Sequence, residues 1–168
     1  MTEELYAALK AMEGEESEPR KANDRVSEAM IRHWCEALED PNPLYTDDEF
    51  AKASEYGGVV APPTMIQAYC VPPLWPPYEG PPPPIFKAVQ RCVDAGYPAT
   101  VGISHEYEFL RPLLPGDEIT FQLKFVSVSA PKKTKLGTGY FLTSQYTYRN
   151  QRHEIVCRQW MTVYQYKP

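Results

Sequence analysis

The chain has 168 residues, of which 43% are hydrophobic and 23% charged, and it carries a net charge of −5 with a pI near 5.3. This length is that of one domain, and this composition is ordinary for a globular chain with a core. The acidic balance argues against non-specific nucleic-acid binding. No run approaches the about 18 apolar residues that span a membrane, and the N-terminus is acidic, unlike a signal peptide. We therefore expect a cytoplasmic protein.

The four cysteines are scattered along the chain without C-x-x-C spacing. Neither a zinc site nor a disulfide framework is indicated by such an arrangement. We expect free, partly buried thiols and no metal.

Residues 1–25 are predicted to form a helix and a linker ahead of the main domain, residues 26–168. The segment 4–12 carries an apolar stripe at helical spacing, which would pack on the body of the fold or on a partner. Residues 14–21 are polar and include a proline, which is typical of a linker. The members of the stripe are Leu5, Ala8, Leu9 and Met12.

Two proline-containing loops follow a helix for which Ser27 is the candidate N-cap. The first loop, residues 39–45, reads EDPNPLY, and it places Asp40 before a proline, which holds that residue in extended geometry. The second loop, residues 56–65, reads YGGVVAPPTM. Between the loops, a short helix is predicted from the capping-box spacing of Thr46 with a glutamate three residues later. Stiff polar loops beside apolar segments are common places for functional sites.

A long apolar helix should begin at Thr64, but Pro72 must end it, because an interior proline removes a hydrogen bond and clashes with the preceding turn. Ten of the eighteen prolines lie between Pro62 and Pro84. Such a run stays extended and semi-rigid, and Trp75 is interleaved with it. This pattern predicts stiff apolar walls beside a shortened helix. A surface loop or a proline-rich ligand for a partner is the plainer interpretation.

From residue 99 onward the hydrophobic period changes to two, which predicts strands. Helices first and a long antiparallel meander afterwards indicate an α+β domain whose strands curl over a central helix. His105 falls in the apolar register of the first strand, where a satisfied core or interface histidine is the commonest interpretation. The strands are predicted at residues 101–109, 119–128, 139–148 and 155–166.

Three motifs together resemble the MaoC-like (R)-specific enoyl-CoA hydratase and dehydratase group of hot-dog folds. They are D-x-N-P-L beginning at Asp40, the GGVVAPPTM turn at residues 57–65 and FLRPLLPGD at residues 109–117. They stand in the group's order and the resemblance covers about residues 26–166. It implies a hot-dog fold, in which an antiparallel curved sheet wraps around a central helix that prolines shorten here. It also implies an acyl-CoA substrate, with coenzyme A as part of the substrate and no separate cofactor.

The chain departs from the active members of that group at two places. Active members carry an Asp and, after four further residues, a His; Asp40 holds the first position here, but Tyr45 holds the second. A phenol with a pKa of about 10 is a poor base at neutral pH, whereas an imidazole with a pKa of about 6.5 is suited to it. The group also uses a backbone N–H to bind the thioester oxygen, and Pro62 and Pro63 stand at that point without one. No residue of this chain is therefore assigned a catalytic role.

The resemblance and these departures imply a subunit of a heteromeric enoyl-CoA hydratase. A catalytically complete hot-dog partner would supply the base and the amide donor, in a heterodimer or heterotetramer, while this chain shapes the acyl tunnel. The implied substrate is a polyketide-like, long fatty-acyl or steroid side-chain enoyl-CoA, and the proline-broken helix favours the bulky steroid side-chain type. The predicted substrate contacts are Pro62, Pro63, Met65, Trp75 and His105. The predicted contacts to the phosphates of coenzyme A are Lys132, Lys133 and Lys135, for which a solvated loop is the plainer interpretation.

Two other interpretations stay open. The first is a hydratase that works alone, in which Asp40 acts with a water molecule, Tyr45 or His105. The second is an acyl-CoA binding or assembly module without enzymatic activity. A thioesterase is disfavoured because no second carboxylate or nucleophile stands near Asp40 in the sequence. In the heteromeric steroid-degrading hydratases that this chain resembles, a domain with zinc and an oligonucleotide-binding fold often follows the non-hydrating domain, so the resemblance leaves open that one follows here.

Overall fold

The computed structural model describes residues 2–168, and within them the helices precede the long strands, as predicted. The helices are α1 Thr2–Lys10, α2 Glu28–Leu38, α3 Pro43–Thr46, α4 Asp48–Ala53, α5 Ile66–Cys70 and α6 Pro84–Asp94. The strands are β1 Arg20–Lys21, β2 Ala99–Phe109, β3 Thr120–Val128, β4 Lys132–Thr134, β5 Gly137–Arg149 and β6 Ile155–Lys167. None of the helices within the described range is long and apolar enough to cross a membrane.

The strands form one antiparallel sheet in the order β1-β3-β5-β6-β2, and β4 makes a hairpin with the start of β5. One face of the sheet carries the core. Along β3, the side chains of residues 120–125 alternate between half-buried and buried, and the buried ones of the whole strand are Phe121, Leu123, Phe125 and Val128. Strand β2 differs, since most of its side chains are exposed and it pairs with β6 alone within residues 2–168. The α+β architecture predicted from the change of period is confirmed.

The proline-rich segment separates two short helices that both pack in the core. A single 3-10 turn, Pro63–Met65, leads into α5, which ends at Cys70, just before the prolines that were predicted to stop it. Residues 71–79 then run over the surface with every side chain exposed. Helix α6 resumes the core contact through Ile85, Ala88 and Cys92, all of which are buried. The concave face of the sheet is therefore covered by two short helices rather than one long helix.

The N-terminal segment is part of this core and not a helix attached by a linker. Leu5 and Leu9 on α1, and Met12 just after it, are buried in the same hydrophobic cluster as the sheet. Residues 14–17 lie along β3, where the backbone N–H of Gly14 donates to the carbonyl of Phe125 at 2.8 Å and that of Ser17 to Leu123 at 2.8 Å. The polar composition of residues 14–21 reflects an exposed sheet edge, so the linker prediction for them is wrong.

The N-cap of the short helix between the two loops is Asp47 and not the predicted Thr46. The Asp47 carboxylate accepts from the backbone N–H groups of Glu49 and Phe50, each at 3.0 Å. Thr46 ends α3 instead, and its hydroxyl donates to the carbonyl of Asn42 at 3.0 Å. A carboxylate at the cap interacts favourably with the helix dipole, which explains why Asp47 takes the position.

The integration of α1 into the core can be tested with a matched pair of leucine truncations. We expect Leu9→Ala, at a side chain with 0% exposure, to lower the free energy of unfolding by about 2–5 kcal/mol, because it leaves a cavity in the core. Leu74→Ala makes the same chemical change at a side chain that is 97% exposed, and we expect an effect within about 0.5 kcal/mol. Urea unfolding of both variants measures the difference, and equal stability of the two would contradict the placement of α1.

Candidate functional site

A cavity of about 270 Å³ lies where the two proline-containing loops meet the end of β2 and the start of β6. Its lining is mostly apolar. The loops contribute Leu44, Tyr45, Val60 and Pro63, and the strands contribute Phe109 and Cys157. A concave, apolar site with a few polar groups is the usual form of a small-molecule pocket.

The first loop is held rigid by hydrogen bonds within itself and to α2. The Asp40 backbone N–H donates to the carbonyl of Cys35 at 2.9 Å, and the Asp40 carboxylate accepts from the N–H of Asn42 at 3.1 Å. The side chain of Asn42 in turn caps α3 by accepting from the N–H of Leu44 at 3.1 Å. Asp40 itself does not line the cavity and instead borders a shallow depression beside Arg32. The carboxylate is therefore committed to the loop's own structure.

Tyr45 is the polar group of the cavity wall that stands at the family's His position. Its side chain is half-buried. Burial raises the pKa of the Tyr45 phenol above its ordinary value, and the negative charge of Asp40 raises it further. The phenol consequently stays protonated at neutral pH. It can donate a hydrogen bond there, but it cannot serve as a base.

The second loop presents no free amide to the cavity over four consecutive residues. The N–H of Val60 donates to the carbonyl of Leu44 at 3.2 Å, and that of Ala61 donates to Leu113 at 2.8 Å. The next two residues, Pro62 and Pro63, have no N–H. An anionic oxygen placed against this stretch would find no donor of the kind that stabilises a developing enolate.

The five predicted substrate contacts are not brought together around this cavity. Pro63 lines it, whereas Pro62 and Met65 are buried and do not. Trp75 is 85% exposed on the proline-rich segment. His105 is exposed on β2, four residues along the strand from the cavity wall. Substrate binding by these residues stays a prediction.

The three lysines predicted to contact coenzyme A lie at the other end of the sheet. Lys132 and Lys133 belong to β4, which pairs with the start of β5, and that part of β5 pairs with the end of β6 at Lys167. The cavity is at the opposite end of β6, at Val156. At about 3.3 Å per residue the separation is roughly 35 Å. Lys135 is in the same hairpin, and coenzyme A binding by this cluster stays a prediction.

Two polar features near the cavity were missed in the sequence. Among the described residues that line the cavity, Arg111 alone is charged. Its guanidinium lies 3.3 Å from the carboxylate of Glu154. Tyr148 and Gln159, both fully buried, form a hydrogen bond of 2.6 Å, and the amide of Gln159 continues to His105 at 3.0 Å. A glutamine in a buried strand register was the signal for the second feature, and its partner His105 is 54 residues away in sequence.

Comparison with known proteins assigns this chain to a family. Residues 11–159 match the family described as FAS1-like, dehydratase domain region. A probable enoyl-CoA hydratase alpha subunit from Thermomonospora curvata is 39% identical over 153 residues, which cover 90% of this chain and 48% of that protein. The 3-oxo-4,17-pregnadiene-20-carboxyl-CoA hydratase alpha subunit from Mycobacterium tuberculosis is 35% identical, with coverage of 99% and 52%. The chain thus spans about half the length of these curated relatives.

The fold is shared with solved structures of the same kind. A chain of the ChsH1–ChsH2 complex from Mycobacterium tuberculosis superposes with a TM-score of 0.89 at 34% identity, covering 99% of this chain and 96% of that one. A MaoC-like dehydratase from Rhodospirillum rubrum superposes with a TM-score of 0.62 at 23% identity, over 93% of each chain. The protein is therefore a MaoC-like hot-dog domain, as its motifs predicted. It belongs to the FAS1-like dehydratase domain family.

The electrostatic coupling of Tyr45 to Asp40 predicts a measurable titration. We expect the Tyr45 phenol to titrate above the ordinary pKa of about 10 and Asp40→Asn to lower this pKa, because one of the causes of the shift is removed. Carbon NMR of ring-labelled tyrosine between pH 8 and 12, with the Tyr45 signal assigned by Tyr45→Phe, gives both values. Asp48→Asn, at an exposed carboxylate in the neighbouring α4, is the matched control and should leave the pKa unchanged. A Tyr45 pKa at or below 10 in the unaltered protein would contradict the burial argument.

Proposed function

We propose that this chain is the non-hydrating hot-dog subunit of a heteromeric enoyl-CoA hydratase, acting on an enoyl-CoA with a bulky acyl group of the steroid side-chain type. Hydration adds a water oxygen to the β-carbon and a proton to the α-carbon of the enoyl thioester. A base must activate the water, and a donor must stabilise the negative charge that develops on the thioester oxygen. In this proposal the partner subunit supplies both groups and this chain shapes the acyl site.

The proposal depends on two features of the cavity in which this chain differs from the active members of the group. A phenol whose pKa is raised occupies the base position at Tyr45. The amides of residues 60 and 61 are engaged in backbone hydrogen bonds, and two prolines follow them. Loss of one oxyanion donor typically costs about a hundredfold or more in rate. The loss of the base as well favours a supporting role for this chain.

The free edge of the sheet supports the proposed pairing with a second hot-dog subunit. Within the described residues β2 has one strand neighbour, β6, so its other edge has no strand partner. Exposed apolar side chains lie along and just beyond this edge strand. An unpaired edge of this length is normally covered, and a partner strand would satisfy its backbone groups. The exposed apolar residues are Ile103, Phe109 and Leu110.

The proposed substrate class rests on the relatives and on the open concave face. The relative from Mycobacterium tuberculosis is named for a steroid-derived acyl-CoA, and the solved complex pairs two different chains. In this chain α5 ends at Cys70, and the exposed Trp75 follows on a proline-rich segment. A shorter central helix leaves more room for an acyl group than a full-length one.

The first test is hydration of a steroid 17(20)-enoyl-CoA by the purified chain, alone and after co-expression with a hot-dog subunit that carries the Asp, the His and the amide donor. We expect no turnover alone and turnover by the complex. Tyr45→His in the isolated chain should remain inactive, because residues 60–63 still offer no amide donor. Measurement of the β-hydroxyacyl-CoA product by mass spectrometry decides the outcome.

The same assay separates the rival functions. In the complex, Asp40→Asn should retain activity within about threefold, since its carboxylate binds its own loop. Turnover by the isolated chain that disappears in Asp40→Asn would establish a hydratase working alone and overturn the proposal. Binding of the enoyl-CoA without turnover in either preparation would favour an acyl-CoA binding module.

Trp75 offers a second test, directed at the acyl site. We expect Trp75→Ala in the complex to raise KM for the steroid enoyl-CoA by about tenfold, because a large apolar contact is lost. Tm of the isolated chain should stay unchanged, because the Trp75 side chain is 85% exposed. Crotonyl-CoA, whose acyl group is too short to reach beyond the reacting centre, is the control substrate. An equal change in KM for both substrates would show that Trp75 does not contact the acyl group.

A further inference from the structure

A chain of hydrogen bonds runs from the buried core to an exposed histidine on the edge strand. The Tyr148 hydroxyl donates to Oε1 of Gln159 at 2.6 Å, and Nε2 of Gln159 lies 3.0 Å from Nδ1 of His105. Tyr148 and Gln159 are fully buried, whereas His105 is exposed. These hydrogen bonds therefore link two buried side chains of the core to an imidazole ring that solvent or a ligand can reach.

These bonds determine which nitrogen of His105 carries the proton. Burial raises the pKa of Tyr148 far above its ordinary value, so its hydroxyl is protonated and donates to the oxygen of the Gln159 amide. In this orientation of the amide the NH₂ group faces His105, and an NH₂ group can only donate. Nδ1 of His105 must accept, which leaves its hydrogen on Nε2 in the neutral ring. No described residue accepts a hydrogen bond from that Nε2–H.

The ring lies at one end of an open strip on the concave face of the sheet. His105, Tyr107 and Phe109 project from the same face of β2, and their rings stack in sequence at 6.4 and 5.3 Å between centroids. Phe109 lines the cavity. The four residues from Phe109 to His105 correspond to about 13 Å of strand. The cavity and the unpaired N–H are thus the two ends of one strip.

The short central helix is the reason why this strip is open. Helix α5 reaches β2 at Tyr107, whose hydroxyl donates to the side chain of Gln67 at 3.1 Å. The helix ends three residues later, at Cys70, and the Tyr107 side chain is half-buried whereas those of His105 and Phe109 are exposed. An apolar strip with one oriented donor at its far end fits a long, rigid acyl group that carries one acceptor oxygen remote from the thioester.

We propose that His105 is a specificity-determining residue whose Nε2–H donates a hydrogen bond to a ketone oxygen on the acyl group of the substrate, and that Gln159 and Tyr148 are positioning residues that hold this tautomer. The proposal rests on the proposed function, because it assumes that the acyl group of a bulky enoyl-CoA occupies the concave face. It goes beyond that function by assigning a polar requirement to the acyl group. A site built around an unpaired donor discriminates against a ligand that lacks the acceptor.

The tautomer is tested on the protein without any substrate. Long-range proton–nitrogen NMR at pH 8 distinguishes Nε2–H from Nδ1–H rings, and the chain has three histidines. We expect Nε2–H for His105. His33 is an internal contrast, since its Nδ1 lies 3.3 Å from the carboxylate of Glu36 and so favours Nδ1–H. In Gln159→Glu the group facing His105 becomes an acceptor, and we expect its ring to change to Nδ1–H or to the protonated form.

Tyr148→Phe provides a second variant that keeps the buried ring and adds no charge. It removes the bond that orients the Gln159 amide, so we expect the His105 nitrogen shifts to move toward an average of the two tautomers. The signals of His33 and His153, which lie elsewhere, should not move in either variant. Nδ1–H on His105 in the unaltered protein, or nitrogen shifts that neither variant changes, would overturn the positioning role.

The substrate contact is tested in the complex with a matched pair of substrates, a 3-keto steroid 17(20)-enoyl-CoA and its 3-deoxy analogue. His105→Phe keeps an aromatic ring beside Tyr107 and removes the donor. We expect kcat/KM for the ketone to fall about 3- to 10-fold, chiefly through KM, with little change for the deoxy analogue. Tyr148→Phe should produce a smaller loss in the same direction.

The outcomes distinguish failure of the inference from failure of the proposed function. Equal losses for the two substrates, or a weaker complex by light scattering, would show that His105 contacts the partner or supports the fold, and would overturn the inference while the complex still hydrates both. If the unaltered complex hydrates neither substrate, the proposed function fails and the ketone contact fails with it. In that case, the His105 nitrogen shifts, which are measured without substrate, still show whether Gln159 and Tyr148 hold the Nε2–H tautomer.

Discussion

The absence of an N–H group in proline is the constraint on which the rest of this structure depends. At residues 62 and 63 it removes two amides from the stretch where related enzymes bind the thioester oxygen, and the two preceding amides are already engaged with backbone carbonyls. At residues 72 and 73 it ends α5 after Cys70. In the proposed function, the first effect leaves the oxyanion donor to the partner subunit, and the second leaves room for the acyl group on the concave face of the sheet. Both effects follow from the same covalent property of proline, which occurs here in two pairs of prolines ten residues apart.

The remaining polar groups of the cavity are consistent with a site that binds without reacting. The Tyr45 phenol is kept protonated by burial and by the charge of Asp40, and Asp40 is held by its own loop. Arg111 is paired with Glu154. In contrast, the donor on His105 is oriented by two buried groups and has no acceptor among the described residues. The site therefore has orienting capacity at its far end and little capacity for proton transfer at the family's catalytic position.

Local signals predicted the parts of the fold that depend on near neighbours in sequence. The cap at Ser27, the end of α5 before Pro72, and the strands from residue 99 are confirmed, because each reflects propensity or periodicity within a few residues. The errors have equally local causes. Thr46 and Asp47 are adjacent residues of types that cap helices, and the N-cap in the structure is the Asp47 carboxylate. The polar residues 14–21 were interpreted as a linker because an exposed edge and a linker share a composition, and only the pairing with β3 separates them.

The sequence by itself determined the family motifs, the substitution of Tyr45 for a histidine, and the positions without an amide proton, since these depend on residue identity alone. Only the tertiary structure decided which residues share a site. It separated Lys132, Lys133 and Lys135 from the cavity by the length of the sheet. It also brought His105 to Gln159 and Tyr148, which lie more than 40 residues further along the chain. Strand register brings distant residues within hydrogen-bonding distance, and register is set by the packing of the whole sheet rather than by any local pattern.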